Sequence, residues 1–290
     1  MTDKTKNLVV RTITGIIYVA IMVVSFLRAD VMILLFAAIA GMTVWEYTGL
    51  VNNYAKDVTV NRFINTVAAV YLVIAVGFNR MQFTSIADGF VIFVPYVLTM
   101  VYLFISELYA KNENPINNVA YSMLAQMYVA MPLSLISVAA IGTSPDGPTY
   151  DMLIPLSIFI FLWCNDSGAY CFGSLLGKHK LFPRISPGKT WEGSIGGGLL
   201  VLAVAIGLGI WANGRGEGSQ LNVVQWAGFG LVVTFFGTWG DLVESLFKRK
   251  LGIKDSGNIL PGHGGMLDRF DSSLLAIPAS VVYLYSLVLL

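Results

Sequence analysis

Long apolar runs, broken only by short polar segments, dominate this chain and decide what it can fold into. A helix needs about 20 mostly apolar residues to cross roughly 30 Å of hydrocarbon. Nine runs approach or meet that length: 12–27, 31–51, 63–79, 88–106, 121–141, 152–172, 194–212, 223–243 and 271–290. Charged residues make up only 12% of the chain, about half the fraction usual in soluble domains. With 56% hydrophobic residues and a mean hydropathy of +0.71, a soluble enzyme and a disordered chain are excluded. The expected fold is all-α: a polytopic membrane protein with about nine transmembrane helices. It forms one integral membrane unit, with spans 1–5 in residues 1–150 and spans 6–9 in residues 151–290. No internal repeat is evident.

Positive charge sets the expected orientation. With the N-terminus in the cytoplasm, Arg28, Arg80 and Arg215 face outward and the remaining fifteen of the 18 Lys and Arg face inward. That asymmetry favours a cytoplasmic N-terminus under the positive-inside rule. The first run follows Lys4, Lys6 and Arg11 but lacks a small-residue cleavage site, so it reads as an uncleaved span. Loops 173–193 and 244–270 then share the cytoplasmic side. A net charge of +1 gives no support for nucleic-acid binding. Cys164 and Cys171 are spaced neither as CxxC nor as a zinc pattern, and read as buried hydrophobes.

Acids in apolar spans are costly, roughly 2.5–3.5 kcal/mol each, and call for partners or a polar cavity. Asp166, Asp241, Glu244 and Asp271 all fall near cytoplasmic helix ends. Asp241, Glu244, Ser245 and Lys248 are spaced i, i+3, i+4 and i+7, which puts them on one helix face. Asp268, Asp271 and Ser272 repeat the i, i+3, i+4 pattern at the expected start of the last helix. Any one of these acids could be a cap or a snorkelling pair; the set together points to a site. Glu46, alone in the second span, either lines the same cavity or pairs within the bundle.

Between the two polar faces runs a Gly-rich segment, Lys254 to Gly265, that holds His263, Gly264 and Gly265, and Lys248, Arg249, Lys254 and Arg269 add positive charge around it. Glycines allow positive φ and close approach, so backbone N–H groups can converge on phosphate oxygens. Carboxylates beside such a loop suit Mg²⁺, which takes one or two carboxylates with phosphate oxygens and water. A loop that only fixes topology or touches anionic lipid is the alternative. His263 either donates to a phosphate or completes the turn. In the other loop, Ser186-Pro187-Gly188-Lys189-Thr190 imitates the end of a P-loop, but Pro183 stands at its first glycine and no βαβ unit precedes it. What remains is a turn presenting Ser186, Lys189 and Thr190 to a phosphate or head group. Gly173 and Gly177 read as close helix packing, and Trp191 as an interfacial anchor.

Segment 245–271, SLFKRKLGIKDSGNILPGHGGMLDRFD, resembles the signature of the phosphatidate cytidylyltransferase (CDP-diglyceride synthetase) family. Ser245, Lys248, Arg249, Lys254, Asp255, Pro261, His263, Gly264, Gly265, Asp268, Arg269 and Asp271 fill its fixed places. The stretch from Asp166 to Gly193 is similar to the family as well, with Gly188 where many members carry Lys. The first 150 residues match only as generic spans. The resemblance implies transfer of CMP from CTP to phosphatidic acid, yielding CDP-diacylglycerol and pyrophosphate; the expected location is the bacterial inner membrane, and the charge asymmetry puts the site on its cytoplasmic face. The resemblance also implies a homodimer, Mg²⁺ with room for a second cation, and Asp241 and Asp268 as cation ligands. Lys189, Ser245 and Lys248 join these two in the active site. Ser186, Thr190, Arg249, Lys254, His263, Gly264, Gly265 and Arg269 are candidates for the substrates, and Asp166, Glu244 and Asp271 for the surrounding shell or another cation. A transporter would place ionisable residues at mid-span and repeat its halves. Another lipid-head-group transferase would carry an Asp-rich helical motif, which Asn165-Asp166 only begins.

Overall fold

The computed structural model describes residues 3–82, 89–144, 147–214, 221–257, 259 and 264–288. The helices are α1 (Asp3–Ser25), α2 (Ala29–Tyr54), α3 (Arg62–Gln82), α4 (Val94–Ala110), α5 (Pro115–Leu124) and α6 (Met131–Ala140), followed by α7 (Leu153–Leu176), α8 (Trp191–Gly214), α9 (Val223–Lys250), α10 (Leu267–Phe270) and α11 (Ser273–Val288). A 3₁₀ turn, Val91–Phe93, leads into α4, and a π-helical stretch, Ala125–Ala130, joins α5 to α6 in one long rod. Among the described residues, eight helical segments are long and apolar enough to cross a membrane, and α1 adds a shorter apolar stretch, Thr12–Ser25. The protein is an all-α, multi-pass membrane protein. Its only regular β structure among the described residues is two antiparallel hairpins, β1 (Ile141–Ser144) with β2 (Gly147–Tyr150) and β3 (Lys180–Phe182) with β4 (Ser186–Thr190).

The helices outrun several expected spans. The fifth begins at Pro115 rather than 121, because proline at the first helical position costs no hydrogen bond. The eighth runs on to Lys250, past the expected end at 243. Its last turns carry i, i+4 partners and end in Lys248, Arg249 and Lys250, which complement the C-terminal end of the helix dipole.

The chain divides into two compact units: Met1–Leu153 with Lys250–Phe270, and Ile154–Arg249 with Asp271–Leu290. In the first unit α2 is the central helix, with Phe36, Ala40, Val44 and Val51 fully buried. Phe270, at the end of α10, packs edge-on against Phe36 and Tyr18, with ring centroids 6.4 and 6.2 Å apart, and so seats segment 250–270 on this unit. The unit's helix ends sort as the alternating topology requires. At one end the Thr59 N–H and the Glu107 carboxylate both meet Asn118. At the other, Arg80 donates to the Ile141 carbonyl at 3.0 and 2.5 Å, and the Tyr150 hydroxyl donates to the Phe26 carbonyl at 2.8 Å. Burial pushes the Tyr150 hydroxyl up to about 12.

The second unit packs α7, α8, α9 and α11 around Phe161, Trp226, Phe229 and Tyr283. As expected for Gly173, α7 and α8 cross on small residues. A Cβ on Gly197 would stand 2.7 Å from the Asn165 carbonyl oxygen and 3.2 Å from the Ala169 nitrogen, both backbone atoms that cannot swing aside. Gly197→Ala should therefore destabilise the folded protein by about 1–3 kcal/mol, read as a lowered melting temperature in detergent. An unchanged melting temperature would mean that the two helices can separate without cost. The cysteines depart from expectation: Cys164 is half-buried and Cys171 exposed, both as free thiols.

Candidate active site

The polar end of α9 is built by helix periodicity, as the spacing predicts. Ser245 donates its hydroxyl to Asp241 Oδ1 at 3.1 Å, and Lys248 Nζ lies 2.7 Å from Glu244 Oε2. Glu244 is completely buried and Lys248 nearly so, with 14% of its side chain exposed. One turn earlier, Gly240 permits a backbone approach that any side chain would block. A Cβ there would stand 2.8 Å from the Asp271 carbonyl oxygen and 2.9 Å from that of Ser272. This approach brings Asp271 to α9, and carboxylate oxygens of Asp241, Glu244 and Asp271 come within 4.8 Å of one another. The charges of Asp241, Glu244 and the exposed Asp166 all act on Asp271.

The β3–β4 hairpin carries Lys189 to the same place. Lys189 Nζ lies 2.5 Å from Asp241 Oδ2 and 3.5 Å from the Thr238 carbonyl oxygen. Thr190 ends the same strand. Its buried hydroxyl accepts the Gly193 N–H at 3.1 Å and so caps α8. Glu192 clasps the far side of the hairpin, accepting the backbone N–H groups of Lys178 and His179 at 3.2 Å and meeting His179 Nδ1 at 2.6 Å. Arg249, at the end of α9, donates to the Ile185 carbonyl at 3.3 Å. Loop 173–193 and the α9 terminus therefore share one end of this unit. Ser186 sits half-buried at the start of β4.

Three carboxylates this close repel one another and need positive charge among them. Lys189 and Lys248 supply two charges. The oxygen-only donor set fits a hard divalent cation such as Mg²⁺. Asp241 and Asp271 stay partly accessible while Glu244 is enclosed, so a cation held here could still meet a substrate oxygen.

The remaining candidates lie on segment 250–270, in the first unit. Asp268 Oδ2 accepts two backbone N–H groups, from Ser256 and Gly265, each at 3.0 Å. Gly264 has φ +86°, a conformation glycine adopts freely. Lys254 and Arg269 are exposed, and His263 lies outside the described residues. A two-residue turn, Asp271–Ser272, separates α10 from α11. Asp271 accepts the N–H of its own neighbour Ser272 at 2.5 Å, a local bond that competes with helix continuation. Asp268 belongs to the first unit and Asp271 to the second. Glu46 pairs within its own unit, with backbone and hydroxyl donors of segment 250–270. Gly240, Thr238 and the His179–Glu192 clasp escaped the sequence reading; only Glu192, one residue into a helix after a capping threonine, left a local signal.

Helices long and apolar enough to cross a membrane carry carboxylates and lysines at their ends, an arrangement suited to a membrane-embedded enzyme with charged substrates. The Cytidylyltransferase family model matches residues 9–287, and the chain belongs to that family. It is 34% identical to a phosphatidate cytidylyltransferase of Staphylococcus aureus (strain COL) over 272 residues, covering 93% of this chain and 96% of the relative. The phosphatidate cytidylyltransferase of Staphylococcus haemolyticus (strain JCSC1435) is 34% identical over 275 residues, with the same coverage. That of Staphylococcus epidermidis (strain ATCC 12228 / FDA PCI 1200) is 32% identical over 270, again covering 93% and 96%.

Proposed function

We propose that this protein transfers the CMP group of CTP to phosphatidic acid, giving CDP-diacylglycerol and pyrophosphate for phospholipid biosynthesis. The observation that carries the reading is the Asp241–Glu244–Asp271 cluster flanked by Lys189 and Lys248, in a chain of this family. A phosphate oxygen of the lipid attacks the α-phosphorus of CTP. The α–β bridging P–O bond breaks in line, and pyrophosphate carries away its electron pair. The attacking phosphate is already ionised near neutral pH, so positioning and charge neutralisation carry the catalysis.

Asp241, Glu244 and Asp271 would hold Mg²⁺, and a bound cation supplies neutralising charge to phosphate oxygens. Ser245 fixes the orientation of Asp241 through its hydroxyl. Lys189 and Lys248 are held by carboxylates at 2.5 and 2.7 Å, and either ammonium can turn to a phosphate oxygen when substrate arrives. Arg249, Lys254, Arg269 and the Gly264–Gly265 backbone are further phosphate contacts in this reading, and Ser186 a head-group contact. The excess of Lys and Arg in one set of loops supports a cytoplasmic N-terminus, with the site facing the cytosolic CTP pool from the bacterial inner membrane. A homodimer follows from the family resemblance alone.

A direct assay supplies purified protein in liposomes with phosphatidic acid and cytidine-labelled CTP, with Mg²⁺ or with a chelator. Label should enter lipid only with Mg²⁺, matched by pyrophosphate release; labelling that is indifferent to the chelator would remove the cation from the reaction. The resemblance also assigns Asp268 to cation binding, and Asp268→Asn tests that role without dismantling the loop. The asparagine side-chain oxygen can still accept the Ser256 and Gly265 N–H groups. Turnover should disappear while the melting temperature holds, and normal turnover in Asp268→Asn would end the assignment.

A further inference from the structure

Glu46 sits in α2, within a span, with 8% of its surface exposed. A carboxylate placed so deep in an apolar helix is costly unless its oxygens are satisfied. Among the described residues its partners are hydrogen-bond donors rather than a cation, and all of them lie on segment 250–270, more than 200 residues away in the chain. The Ser256 hydroxyl donates to Oε1 in a short contact. The Met266 N–H donates to Oε2 at 2.8 Å and the Leu267 N–H to Oε1 at 3.4 Å. Ser256, Met266 and Leu267 are themselves buried.

The two arms of the loop thus meet at one carboxylate. Asp268 braces the same arms as well, through the Ser256 and Gly265 N–H groups. The fit leaves no slack: a Cβ on Gly257 would stand 3.0 Å from the Glu46 carboxyl group, and one on Gly265 would collide with Glu46 Oε1 and the Ser256 hydroxyl. Glycine at 265 is thereby explained by Glu46 rather than by a backbone dihedral.

We propose that Glu46 is a positioning residue of the transfer reaction, locking Ser256–Gly257 to Gly264–Leu267 so that the backbone of these two arms, with the neighbouring Lys254 and Arg269, stands in fixed register for phosphate. It rests on the cytidylyltransfer reading above and acts only through the loop; Glu46 does not touch the reacting groups. A misplacement of about 1 Å at reacting atoms can cost on the order of 100-fold in rate, and an unpinned loop would allow that much.

The experiment compares wild type, Glu46→Gln, Glu46→Ala, Ser256→Ala and the Glu46→Ala/Ser256→Ala double variant. Each is measured for CMP transfer, melting temperature and amide hydrogen exchange. Glu46→Gln keeps the shape but turns one N–H acceptor into a donor, so it guards against a variant that simply fails to fold. We expect kcat/KM to fall about 10- to 100-fold in Glu46→Ala, and less in Glu46→Gln. Exchange should quicken at Met266 and Leu267 but not along α2 and α3. The double variant should lose no more than Glu46→Ala alone, because both residues act through one contact. Rates within twofold of wild type, additive losses, or exchange that quickens through the whole first unit would each overturn the proposal. If wild type itself transfers no CMP, the assigned function fails. The exchange comparison then still decides whether Glu46 holds the loop.

Discussion

Asp241→Asn is expected to lower kcat/KM for CMP transfer about 10³-fold, the scale seen when one preorganised electrostatic group is lost, while insertion and helix content stay as in wild type. The side chain keeps its size, so the effect isolates charge. The introduced asparagine can still accept the Ser245 hydroxyl with its oxygen. Its NH₂ group would then face the Lys189 ammonium at the position where Asp241 Oδ2 now lies 2.5 Å away. Two donors cannot share that contact, and Lys189 would leave it. The Asp241–Glu244–Asp271 cluster would also keep only two of its three anionic groups. These two losses are separable by titrating Mg²⁺. If cation affinity dominates, saturating Mg²⁺ restores much of the rate; if the position of Lys189 dominates, the deficit persists at every concentration. Ser245→Ala, which removes one neutral hydroxyl from the same carboxylate, should cost far less. Transfer within tenfold of wild type in Asp241→Asn would remove Asp241 from the catalytic cluster.

How much of this site the sequence discloses follows from the range of each contact. Asp241, Glu244, Ser245 and Lys248 are legible because one helix period governs them, and the structure pairs them at that spacing. The division of the chain into spans is legible for a similar reason: the cost of leaving hydrocarbon is local to each run. Contacts set by tertiary approach are silent. Asp271 reaches Asp241 and Glu244 because Gly240 lets α9 lie against the 271–272 backbone, and a glycine in an apolar run announces nothing. Glu46 finds its partners beyond residue 255, a separation no periodicity covers. The break at Asp271 failed to show because its cause is a side chain competing with the helix for a single N–H. The cap made by Thr190 is equally hidden, in a run that suggests phosphate contact: its hydroxyl accepts the Gly193 N–H and keeps its own O–H as a donor.

Lys248→Met should cost about 3–5 kcal/mol of stability, the scale of stranding one partner of a buried ion pair. Glu244 is fully enclosed and Lys248 is 14% exposed, so the pair is shielded from the water that would weaken a surface bridge. It also runs in the favourable direction along α9, acid four residues before base. Methionine fills much the same space as the lysine stem, so the cost reports the charge left behind rather than a cavity. With a chelator present, the Glu244 carboxylate then faces Asp241 and Asp271 with one countercharge fewer. Mg²⁺ bound at the cluster would replace it, and a ligand that binds only the folded state raises stability with its concentration. The melting temperature of Lys248→Met should therefore depend on Mg²⁺ more steeply than that of wild type. Adding Glu244→Gln removes the stranded charge, and the double variant should regain most of the lost stability. It should not regain transfer, because the cluster has lost an anionic ligand and the site a lysine. Thermal denaturation in detergent, run with and without Mg²⁺ on the single and double variants, reads all of these outcomes. A Lys248→Met protein as stable as wild type in chelator would mean that the buried carboxylate does not depend on its lysine. A double variant that transfers CMP normally would mean that neither residue serves the reaction.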